Sequence, residues 1–109
     1  GDDAILKIRG VADQEVEVAI RPEGFVLQAD GPLHCDLNRV EVMGRDISVV
    51  STHKCCDAPA IRSIISAENK VNAEEKNVRF TLKPNKVHIF NKETEEFEEI
   101  PYNFIKQNL

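Results

Sequence analysis

The sequence predicts an all-β domain, a small OB-like barrel or sandwich of short antiparallel strands. Apolar and polar residues alternate with period two through most of the chain, and turn-forming clusters interrupt them at intervals of roughly eight to twelve residues. No long stretch carries the helical period. At 109 residues the chain is expected to form one domain, 1–109, with its own core.

The elements follow in order. Ala4, Leu6 and Ile8 share one face of a first strand, and Val16, Val18 and Ile20 share one face of a second, against Glu15, Glu17 and Arg21. A run at 25–29 and another at 33–37 flank Asp30-Gly31-Pro32, which predicts a hairpin between them. A second hairpin is expected where Val40-Glu41-Val42-Met43 and Ile47-Ser48-Val49-Val50 flank Gly44-Arg45-Asp46, with Gly44 supplying a positive φ. The run 60–67 reads as strand, although apolar residues at 61, 64 and 65 also suit a short helix. Residues 68–76 are polar and read as loop. Val78, Phe80 and Leu82 then alternate with Arg79, Thr81 and Lys83, and Pro84-Asn85 breaks the run before Val87-His88-Ile89-Phe90. An acidic turn follows, and Pro101 opens a short terminal helix through Leu109.

Composition narrows the function. A net charge of -5 argues against nucleic acid as a partner, because phosphate-neutralising surfaces need an excess of Lys and Arg. Hydrophobic residues at 41% and charged residues at 30% fit a folded chain without a membrane span. Three cysteines, two of them adjacent, suit a reducing compartment better than a disulfide framework. None of the glycines at 1, 10, 24, 31 and 44 is spaced as a phosphate loop, and there is no G-x-S-x-G elbow.

Several clusters tempt a chemical reading. His53-Lys54-Cys55-Cys56-Asp57 holds soft ligands, but adjacent cysteines on an extended chain diverge, so a strand end is expected in place of a zinc site. Cys35 alternates with Leu33 and Leu37 and reads as core, while His34 and His88 fall on exposed faces without a neighbouring acid. The acidic run from Glu93 to Glu99 lacks the order of a calcium loop. In Arg21-Pro22-Glu23, the proline stops a strand and the arginine does not titrate. Arg21 and Glu23 are therefore expected to pair across a turn or to grip a neighbouring element.

Together these residues support a resemblance. Ala19-Ile20-Arg21-Pro22-Glu23 resembles the G-I-R-P-E element of the transport-associated OB (TOBE) domain, found in ATP-binding subunits of ABC-class sugar importers. Val40-Glu41-Val42-Met43-Gly44-Arg45-Asp46 is similar to that family's V-E-x-x-G-x-[DE] hairpin, and residues 82–94, LKPNKVHIFNKET, to its closing P-x-x-[VI]-H-[LI]-F-[DN]-x-x-T-G segment. The likeness spans residues 15–97. Ala19 and Glu95 stand where the family has glycines, and 53–76 match little.

The resemblance implies a non-catalytic C-terminal regulatory and dimer-stabilising domain, cut from a carbohydrate importer's ATPase subunit at the cytoplasmic face of the membrane. ATP and Mg would belong to an N-terminal nucleotide-binding domain outside this chain, with no cofactor and no metal here. It also implies partners: that nucleotide-binding domain, a second copy of the subunit, permease subunits through the full-length protein, and a cytosolic regulator. Arg21, Pro22, Glu23, Gly44 and Arg45 are the expected contact residues. A domain sensing a small ligand, a sugar or an oxyanion, is the alternative, since OB-like barrels bind such ligands in their loops.

Overall fold

The computed structural model describes residues 3–9, 15–56, 58 and 60–91. Eight strands follow one another: β1 (Ala4–Arg9), β2 (Glu15–Ile20), β3 (Phe25–Leu27), β4 (Leu33–Met43), β5 (Asp46–Thr52), β6 (Ile61–Ser66), β7 (Asn77–Leu82) and β8 (Val87–Asn91). They pair antiparallel into a three-stranded sheet, β1-β2-β8, and a five-stranded sheet, β3-β7-β4-β5-β6. The outer strands of the larger sheet, β3 and β6, come together, so that sheet curls into a nearly closed barrel. The all-β expectation holds, and the architecture fits an OB-like barrel.

Alternation places the core as the sequence implied. Leu6, Val18, Ile20, Leu33, Val49, Ile61 and Phe80 are buried in one cluster that spans both sheets, each contributing about 1.5–3 kcal/mol for a fully buried aliphatic or aromatic side chain. Phe25 meets Phe80 edge-on, with ring centroids 5.1 Å apart, the geometry aromatic quadrupoles favour. A register shift between Leu37 and Arg39 moves Val40 onto the inward face beside Val49, so the long β4 stays apolar inside despite a change of phase. Segment 61–66, left open between strand and helix by its spacing, is strand β6.

The hairpin expected between 25–29 and 33–37 does not form. β7 lies between β3 and β4, so that Leu27 and Leu33 flank Phe80 from opposite sides in one row. The connection passes β7 so closely that a Cβ on Gly31 would sit 2.4 Å from the Phe80 carbonyl oxygen. Arg79 fastens the crossing, donating from Nε to the Gly31 carbonyl at 2.8 Å. Turn chemistry at Asp30-Gly31-Pro32 was correct; the partner strand was not.

The second hairpin forms as expected, with Met43 opposite Asp46 and Gly44 at φ 79°. No helix of the described residues is long and apolar enough to cross a membrane. The acidic run from Glu93 and the terminal helix expected from Pro101 lie outside the described residues.

Candidate functional site

Arg21-Pro22-Glu23 occupies a corner. β2 belongs to the small sheet and β3 to the barrel sheet, while β7 returns from the barrel to β8 in the small sheet. Since β2 pairs with β8 and β3 with β7, the two switches are arms of one ribbon that bends from sheet to sheet. Ile20 faces Val87 before the bend and Phe25 faces Leu82 after it. Residues 21–24 therefore stand opposite 83–86 without a slip of register.

Each arm makes its bend with a proline. The residue before a proline is driven to extended backbone, and Arg21 (φ -65°, ψ 148°) and Lys83 (φ -82°, ψ 115°) both adopt it. Pro22 and Pro84 then open short 3-10 turns, Pro22–Gly24 and Pro84–Lys86, for which their fixed φ is suited. Gly24 N–H donates to the Arg21 carbonyl at 2.8 Å, and Lys86 N–H to the Lys83 carbonyl at 2.9 Å. Across the corner, Arg21 N–H donates to the Lys86 carbonyl at 3.1 Å, and Lys83 N–H to the Gly24 carbonyl at 2.8 Å. This closed set of backbone bonds tolerates the prolines because their missing donors fall at positions the set does not use.

Gly24 is required by the closeness of the two turns. A Cβ there would lie 2.9 Å from Lys86 Cβ and 3.3 Å from Ile20 Cγ2. The corner's charges point outward. Arg21 Nε lies 3.4 Å from Glu23 Oε1 and 3.9 Å from Asp3 Oδ1, with the Arg21 and Glu23 side chains 53% and 45% exposed. A hydrogen bond from its own backbone N–H, helped by Arg21 and Lys86, holds the Glu23 carboxyl below the usual carboxylate range. Exposed pairs of this kind contribute little to stability, because solvent screens them, which leaves them free to meet a partner.

Gly44 and Arg45 belong to a different feature, the tip of the β4–β5 hairpin. Ala67 N–H donates to the Arg45 carbonyl at 2.8 Å and ties that tip to the end of β6. Beside it Val42 and Met43 are 81% and 53% exposed, a pair of apolar side chains that the contact residues expected from sequence did not include. Val42 lies opposite Ile47 on the ladder, yet Ile47 is buried in the core while Val42 stays exposed.

No protein-family model and no curated protein matches this chain.

The soft cluster at 53–56 is a turn between β5 and β6. His53 is buried, and its Nδ1 accepts a hydrogen bond from Cys55 N–H at 3.0 Å. The Cys55 carbonyl accepts from Lys7 N–H at 2.9 Å, and Cys56 bridges Leu6 of β1. The cluster thus joins the two sheets at a second place, a role its composition did not announce. Among the described residues no three His, Cys, Asp or Glu side chains gather as a ligand set. Cys35 is buried in the core, and burial pushes its thiol up to about 11. His34 and His88 lie on exposed strand faces, as expected.

A cleft of about 600 Å³ opens between the β3–β4 connection and the loop that precedes β7, lined by Leu27, Val71 and Val78 with Lys70, Glu75 and Arg79. It does not include the corner or the hairpin tip.

Proposed function

We propose that this chain is the non-catalytic C-terminal regulatory and dimer-stabilising domain of the ATP-binding subunit of a carbohydrate importer of the ABC class. The observation that carries the reading is the pairing of two segments far apart in sequence. The Arg-Pro-Glu element and the Lys-Pro-Asn segment, each resembling a TOBE motif, are opposite arms of the same corner. The third resembling element forms the hairpin tip, with exposed Val42, Met43 and Arg45. Motifs that form a joint and a projecting tip suit a body that docks on others.

Its partners in this reading are the nucleotide-binding domain of the same subunit, a second copy of the subunit, permease subunits through the whole protein, and a cytosolic regulator. ATP and Mg are held by the nucleotide-binding domain, and the protein sits at the cytoplasmic face of the membrane through the transporter complex. Coupling then works by favouring one state of the ATPase dimer.

Titration of the isolated chain with Mg-ATP tests the division of labour. The expected outcome is no saturable binding; tight binding of nucleotide by this chain alone would contradict the reading. Light scattering alongside is expected to show weak self-association at most, because an appended domain gains much of its pairing from effective concentration.

A further inference from the structure

We infer that His53 is a pH-sensitive latch: while its ring is neutral it holds the β5–β6 turn that ties β1 to the barrel sheet, and protonation of the ring releases that tie. The geometry requires the neutral form. A ring nitrogen that accepts a hydrogen bond carries no proton, so with Cys55 N–H donating to Nδ1 at 3.0 Å the proton of the neutral ring sits on Nε2. A second proton would land on the acceptor and set two donors against each other. The same turn is closed by Cys56 N–H donating to the His53 carbonyl at 3.0 Å, and it presents the Cys55 carbonyl to Lys7 N–H and Cys56 to Leu6. Loss of the Nδ1 bond therefore loosens the support of β1 on the side away from β2.

The surroundings oppose a charged ring. His53 sits in a cleft of about 240 Å³ with His34 and Asp36 of β4, Thr52 of β5, and Lys54. The Cys55 and Cys56 thiols complete the turn, and β1 brings Lys7 to it. Burial, then Lys54, then His34 hold the His53 pKa below the ordinary 6.5, against a smaller upward pull from Asp36. A base whose folded pKa is lowered contributes stability that is complete above the unfolded value and declines as pH falls from about 6.5 toward the folded pKa. The Arg-Pro-Glu corner is closed by backbone groups alone, so it keeps its bonds over this range. Acidification thus opens the joint between β1 and the β5–β6 turn and spares the Arg-Pro-Glu corner.

Amide hydrogen exchange between pH 8 and pH 5, corrected for intrinsic rates, tests the latch in the wild-type chain, His53→Asn and His34→Asn. In His53→Asn the new side chain offers its Oδ1 to the same amide two residues on, an Asx turn that does not titrate. In the wild type, protection at Lys7 and Cys56 is expected to fall by up to about tenfold per pH unit, the slope for one linked proton, while Val18 and Val49 lose less. His34→Asn is expected to keep the fall and His53→Asn to abolish it. Nitrogen-15 shifts of the wild-type ring at pH 8 give an independent readout, with Nδ1 unprotonated and Nε2 protonated. Flat protection at Lys7 and Cys56 in the wild type, an undiminished fall in His53→Asn, or a proton on Nδ1 at pH 8 would each overturn the inference.

Discussion

Gly31 shows how one residue decides a topology. A side chain there would meet the backbone of Phe80 at 2.4 Å, and backbone in the middle of a ladder cannot step aside. Gly31→Ala is expected to destabilise the fold by about 1–3 kcal/mol or more, the range for forcing extra atoms into a packed site, as a lowered midpoint in urea with β content retained. Cys35 decides reactivity by the same closeness of packing. Burial raises its thiol to about 11, so the fold favours the neutral thiol, and this stability is present below the unfolded value of 9.0 and fades as pH rises toward 11. Alkylation at pH 8 is expected to modify the half-buried Cys55 and Cys56 and to spare Cys35 until denaturant is added, as read by mass spectrometry.

At the scale of elements, the corner explains what Arg-Pro-Glu is for. Its cation and carboxylate, about half exposed, decorate a bend whose geometry is set by Pro22, Gly24 and the opposing Lys83-Pro84-Asn85-Lys86. The strands themselves were legible in the sequence, because each edge of the core repeats every second residue, as Leu6, Val18 and Phe80 do. The β4–β5 hairpin was legible too, since Met43 and Asp46 are joined by a short turn carrying Gly44 at φ 79°. Pairing across distance was not. Nothing local to Leu27 or Leu33 says that Phe80 will come between them, and only the shared X-Pro-X-X form of the two turns hinted that residues 21–24 and 83–86 belong opposite each other. The candidate site was half legible for the same reason. Arg21, Pro22 and Glu23 do gather at one outward place, and Arg21 pairs with Glu23 as expected. Gly44 and Arg45 sit at the tip of the expected hairpin, and its exposed apolar neighbours, Val42 and Met43, were not among the expected contact residues.

In the described residues, a single ribbon runs through both sheets and links them. β2 and β3 on one strand path, β8 and β7 on the other, carry the ladder from Val16 opposite Asn91 to Leu27 opposite Phe80, with the corner between. A core shared by Leu6 and Val18 of the small sheet with Val49 and Phe80 of the barrel adds to that unity. Such a unit is expected to transmit a contact at the corner or the hairpin tip to a neighbouring domain as a rigid whole, which the proposed role in an ATPase dimer requires. Backbone closure at the corner holds the sheets together while its charges face outward. Equilibrium unfolding of Gly24→Ala beside Arg21→Ala/Glu23→Ala, with hydrogen exchange read at Val18 and Val49, tests it most directly. Both sheets are expected to unfold in one transition. Gly24→Ala should lower it by about 1–3 kcal/mol because its Cβ meets Lys86, and the double variant by less, because solvent screens the exposed pair. Separate transitions for the two sheets, or a larger loss from the charge variant than from Gly24→Ala, would contradict it.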